Sequence, residues 1–179
     1  MVKMSGNNKY NMGKWAVKEV LKKFTNMGKS VKQYVPSDVE IWGEGDYNGW
    51  DYIYIKDKKI TCPDIEMYRN QDMNELVMRV EVKSFYDYVK DSGIKTEENV
   101  LGIRELLIKD YLKVEKHEEI KCRVVFVLGD RYSGAREFYW ETLDNLYYQI
   151  PKASVMYQGS GDTHKRKYYF WRVSDLKKF

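Results

Sequence analysis

From Leu76 to Phe85 the chain alternates with a period of two, placing Leu76, Met78, Val80 and Val82 on one side and Val77, Arg79, Glu81 and Lys83 on the other. Such a segment is a strand with one buried side, which commits the chain to a sheet with a core on one face and a chemically furnished surface on the other. The triplet Glu81-Val82-Lys83 carries the most information. Its two charged side chains point the same way, roughly 7 Å apart along the chain, while Val82 anchors the opposite face. A carboxylate there can hold a divalent cation, the Val82 backbone carbonyl can add a ligand, and the lysine can orient or deprotonate a water. Mg²⁺ takes few carboxylates, several waters and phosphate oxygens, so one more acid is required. The bland reading of the triplet is an ion pair on a solvated sheet face.

Two residues compete for the role of second acid. Asp51 follows a turn-rich stretch, residues 43–49, and opens a β-branched and aromatic strand through Ile55, so its side chain can emerge at a sheet end; it also reads as a turn-capping acid. Asp64 lies in Pro63-Asp64, ahead of Glu81 by 17 residues. Around these, Val17, Val20, Leu21 and Phe24 follow helical spacing over residues 11–24, with Lys14, Lys18 and Lys22 on another flank and Gly28 as a stop. Residues 29–34 read as a short strand, resumed over 38–42, and Asp57-Lys58-Lys59 as a hairpin turn. Pro63 argues against a central strand over 60–75. Thr96 with Glu97 and Glu98 predicts a helix start that runs to Glu115. Residues 121–128 form a continuous apolar strand, 137–140 another, and 142–148 a short helix. Residues 154–157 and 167–173 pair as a terminal hairpin around a polar tip that includes Lys165, Arg166 and Lys167. The order predicts a mixed α/β domain spanning 1–179.

Composition narrows the function classes. No apolar run approaches the roughly 20 residues of a membrane span, and the first residues have no apolar signal region, which predicts a soluble, cytoplasmic protein. Cys62 and Cys122 have no CxxC context and only His117 and His164 for company, so a zinc site or disulfide framework is not expected and any metal takes oxygen ligands. No GxxxxGK[ST] loop is present, so no nucleotide cofactor is expected. The net charge of +4 conceals a partition: residues 1–34 carry +7, residues 35–150 carry −8 and residues 151–179 carry +5. Basic ends suit a polyanion and an acidic middle suits cations; an unevenly charged solvated surface is the plain alternative.

The leading helix, the strand entry Gly49-Trp50-Asp51, the strand Val80-Glu81-Val82-Lys83-Ser84, the following helix and the strand over 122–128 together resemble the PD-(D/E)xK nuclease superfamily, the fold of many restriction endonucleases and of archaeal-type Holliday junction resolvases. The resemblance covers about residues 10–140; residues 141–179 form an added aromatic and basic extension with a β-hairpin. It implies a restriction-endonuclease-like mixed β-sheet flanked by helices. It further implies that Asp51, Glu81 and the Val82 carbonyl hold Mg²⁺, with Mn²⁺ able to substitute, and that Lys83 positions or activates the attacking water. The activity implied is endonucleolytic hydrolysis of DNA phosphodiester bonds, with Lys14, Lys18, Lys22, Lys165, Arg166 and Lys167 as candidate phosphate contacts and a homodimer as a plausible assembly. Many members carry an acid on the first helix where this chain has Val17; Glu19 is the only acid there. The competing class is an inactive nucleic-acid- or protein-binding module that keeps the nuclease fold.

Overall fold

A computed structural model describes residues 6–36, 51–88, 99–130, 132–158 and 166–179. Its elements in chain order are α1 (Gly6–Asn26), β1 (Ser30–Gln33), β2 (Tyr52–Ile55), β3 (Lys58–Thr61), β4 (Ile65–Tyr68), β5 (Leu76–Phe85), β6 (Val100–Arg104), α2 (Glu105–Glu118), β7 (Lys121–Asp130), β8 (Gly134–Thr142), α3 (Leu143–Tyr148), β9 (Ser154–Gln158), β10 (Arg166–Arg172) and β11 (Lys177–Lys178). Six strands form the central sheet in the order β1-β4-β5-β7-β8-β11, and a second sheet runs β6-β10-β9. β5 and β7 pair in parallel, and every other pair in the central sheet is antiparallel. The chain is therefore a mixed α/β domain with helices on both sides of a mixed sheet.

The alternation of β5 sets up two apolar layers. Val80 and Val82 meet Val17, Val20 and Phe24 of α1, with Val125 and Val127 of β7 beside them. On the opposite face Val124, Phe126 and Leu128 of β7 pack with Ile108, Tyr111 and Val114 of α2 and with Leu143 and Leu146 of α3. This is why β7 is an unbroken apolar run: it is buried on both faces. The chain's end belongs to this core as well, since the Phe179 ring lies 5.7 Å from Phe24 and 6.0 Å from Trp140.

Several sequence expectations are corrected. α1 begins at Gly6, ahead of residue 11, although its stop at Gly28, with φ of +73°, is where the glycine placed it. The hairpin turn is Lys56-Asp57, both at positive φ (48° and 59°), while Lys58 and Lys59 already belong to β3. Residues 60–75, expected as an irregular excursion or an edge strand, contain β4, which lies between β1 and β5; Pro63 costs it nothing because it precedes the first ladder residue, Ile65. The second helix starts at Glu105, because Val100-Leu101-Gly102-Ile103 is taken as a strand by β10. The Thr96 start signal, the strand over 38–42, the loop 43–49 and Lys165 lie outside the described residues.

Candidate active site

The hydrophilic row of β5 faces α2. Its middle member Glu81 is only 3 % exposed, and Lys83 closes an ion pair with it. Two further carboxylates arrive from the neighbouring strand beginnings. Asp64 immediately precedes β4; its carbonyl accepts from the Tyr34 N–H at 2.8 Å, and its Oδ2 accepts from the Val82 N–H at 2.7 Å. Asp51 immediately precedes β2, and its carbonyl accepts from the Cys62 N–H at 2.9 Å, one step beyond the β2–β3 ladder. Asp51, Asp64, Glu81 and Lys83 thereby line one cavity of about 100 Å³, floored by Leu107 and Tyr111 of α2. Both candidates for the second acid are brought to Glu81, and Val82 reaches the cluster through its N–H.

Three carboxyls in one partly dry cavity cannot all ionise cheaply. Burial pushes Asp51 up to about 7, against a hydrogen bond with Asp64 that favours the ionised form and a Glu81 charge that disfavours it. Asp64 is raised well above the ordinary range, by burial first and by the Glu81 charge next, with Lys83 opposing. Lys83 is held as an ammonium: burial disfavours its charge, but Glu81 and Asp64 outweigh that and raise it. Tyr111 lies beside Glu81 in this cavity, and burial first, then the Glu81 and Asp64 charges, raise its phenol far above the usual range.

Asp51 Oδ1 is buried with no hydrogen-bond partner among the described residues. A carboxyl oxygen left bare beside two other carboxyls fits a cation, and an all-oxygen donor set of this kind fits Mg²⁺. Among the described residues no three His, Cys, Asp or Glu side chains are grouped so that they could hold a metal ion by themselves.

Arg79, next along the same row, stiffens the frame. It is 3 % exposed and grips Glu118 at the end of α2 through Nε and Nη2 at 2.6 and 2.7 Å, with the Tyr34 ring 4.3 Å below its guanidinium. The bidentate pair ties the end of α2 to β5 and so fixes Leu107 and Tyr111 over the carboxylates. Sequence reading missed Tyr111 as a site residue. Its signal was a hydroxyl on an otherwise apolar helical stripe, which needs a buried partner.

The basic candidates separate. Lys14, Lys18, Lys22 and Glu19 belong to α1, whose apolar side covers the sheet face opposite the carboxylates. Lys167 turns away from Arg166, lying 3.4 Å from Glu105 and over the Tyr169 ring. Arg166 lines a second cavity that also contains Lys83. Cys62 and Cys122 are buried free thiols.

No family model matches the chain, and no curated protein matches it. Solved structures similar to it include two nucleases. The Holliday junction resolvase Hjc of Archaeoglobus fulgidus has 9 % identity and a TM-score of 0.47, over 93 % of this chain and 91 % of that one. D212, a nuclease from a fusselovirus, has 14 % identity and a TM-score of 0.47, over 99 % of this chain and 89 % of that one. At these values neither likeness bears on the chemistry of the cavity.

Proposed function

We propose that the chain is a divalent-metal-dependent endonuclease that hydrolyses phosphodiester bonds in DNA. The observation that carries this reading is the meeting of Asp51, Asp64, Glu81 and Lys83 in one cavity, with Asp51 Oδ1 buried and bare. Asp51, Asp64 and Glu81 are the residues that would hold Mg²⁺ or Mn²⁺. When bound, such an ion supplies Lewis-acid polarisation of a phosphate and lowers the pKa of a water. Lys83 presents its ammonium to the same space, where it can orient the attacking water or meet a phosphate oxygen as negative charge builds up. Glu81 holds Lys83 there by an ion pair, and Tyr111 lines the same cavity beside them. The Asp64 bond to the Val82 N–H locks that carboxyl across the β4–β5 junction. A homodimer would supply two such sites for two strands.

Nicking of supercoiled plasmid by the pure protein tests the reading. Cutting is expected with Mg²⁺ or Mn²⁺ and not in EDTA, and Glu81→Ala, Asp64→Asn and Lys83→Ala are each expected to slow it on the order of 10²-fold or more. Plasmid binding without cutting would instead establish the inactive binding module. Cutting that survives Glu81→Ala and Lys83→Ala would move the site elsewhere.

A further inference from the structure

The carboxylate cavity opens beside a larger one of about 360 Å³, and Lys83 and Leu107 line both. One wall of the larger cavity is a single face of the β6-β10-β9 sheet. Strand pairing sets Arg166 opposite Gln158, Tyr168 between Arg104 and Met156, and Phe170 opposite Gly102. These residues share a face because side chains alternate along each strand, and the intervening Tyr169 and Trp171 go to the core instead. Gly102 is required by this arrangement: a Cβ there would run into the Phe170 ring and would lie 2.6 Å from the Tyr169 carbonyl oxygen. The missing side chain lets the Phe170 ring pack closely against β6, with the Tyr168 ring centred 6.3 Å away and tilted by 32°. The wall is thus an aromatic shelf whose accessible ring is Tyr168, backed by Phe170 at only 4 % exposure, with guanidiniums at Arg104 and Arg166 and an amide at Gln158. No ion pair or side-chain hydrogen bond engages either guanidinium among the described residues.

We infer that this cavity receives an unstacked nucleobase from the strand whose phosphate lies at Lys83 and the carboxylates. The inference rests on the nuclease reading and narrows its substrate class. An aromatic shelf binds the π-face of any base, Gln158 can pair with a base edge, and Arg104 and Arg166 match the phosphates on either side of the extruded nucleotide. The volume is within the range of built ligand sites. Extruding a base from a continuous duplex costs a few kcal/mol, and least where it is already unpaired. Substrates with an unpaired nucleotide beside the cut, such as loops, flaps and branch points, are therefore cut in preference to uniform duplex.

The test is an abasic scan. Oligonucleotide hairpins with an unpaired loop are prepared with a single abasic nucleotide at each position around the mapped cut, and binding in Ca²⁺ and cleavage in Mg²⁺ are measured. One position is expected to lose about ten-fold in affinity. Tyr168→Ala is expected to bind the intact hairpin about ten-fold more weakly and to lose that discrimination, whereas Tyr168→Phe keeps both. Met156→Trp, which fills the cavity from a partly buried position, is expected to reproduce the loss should Tyr168→Ala prove poorly folded by circular dichroism. If the wild type cuts but shows less than two-fold discrimination at every position, or Tyr168→Ala and Met156→Trp both discriminate as the wild type does, the inference fails while the nuclease reading stands. If neither hairpin nor plasmid is cut with any metal, the nuclease reading fails and takes this inference with it.

Discussion

A buried carboxylate oxygen without a partner costs on the order of 1–3 kcal/mol, and Asp51 Oδ1 is such an atom. The neighbouring carboxyl of Asp64 adds to the strain in the same direction. Because Asp51 is moved from its ordinary 3.8 up to about 7, the folded protein binds protons that the unfolded chain releases. Its contribution is fully favourable below about pH 4 and is lost as pH rises through about 7. In EDTA the wild type is therefore expected to lose stability across that window more steeply than Asp51→Asn, with the variant more stable by roughly 2 kcal/mol at pH 8. Excess Mg²⁺ should close the gap by binding the folded wild type. Calorimetric melts at successive pH values check this, and parallel slopes for the two proteins would contradict it. At this scale the sequence was legible where spacing is local: Glu81 and Lys83 share a face because they are two residues apart on a strand. Asp51 and Asp64 remained alternatives because the distance between two strand beginnings is not written in either segment. Tyr111 was hidden by its apolar neighbours.

Elements were legible where a pattern was sustained, as in β5, β7 and the body of α1, and misread where a partner distant in sequence decided the outcome. Val100-Leu101-Gly102-Ile103 has no local reason to prefer extended backbone over a helix entry; the choice is made by β10, whose Phe170 ring occupies the space left by Gly102. β4 is too short to declare itself and is a central strand only because β1 and β5 flank it. The β2–β3 turn shows local chemistry that is tolerated rather than optimal. Lys56 and Asp57 both hold left-handed backbone, which a side chain makes costly and glycine does not. Asp57→Gly is expected to stabilise the fold by about 0.5–1 kcal/mol in thermal melts, since the hairpin then carries a residue suited to its primed turn. A loss of stability would mean that the Asp57 side chain makes a contribution larger than its backbone cost.

Of the basic residues at the two ends of the sequence, Lys14, Lys18 and Lys22 belong to α1 and Arg166 to the small β6-β10-β9 sheet, and these two elements lie on different sides of the central sheet. What the acidic middle does supply is all three carboxylates. The C-terminal segment, set apart in sequence as an extension, is built into the core: the Phe179 N–H donates to the Phe138 carbonyl at 3.1 Å, and its ring closes the α1 layer. Phe179→Ala is expected to cost about 2 kcal/mol, lowering Tm by roughly 5 °C, while leaving nicking at 25 °C unchanged, since that layer lies across the sheet from the carboxylates. Melting curves and nicking rates measured together check both halves. The pairing of β6 with β10 also has a temporal consequence. As the polypeptide leaves the ribosome, Asp51, Asp64, Glu81 and Lys83 emerge first, whereas Tyr168 and Phe170 follow only after β7, β8 and β9 have been made. A nascent chain thus carries its cutting chemistry before it owns a complete wall to select what is cut, and closure of that wall is a late, long-range step in folding.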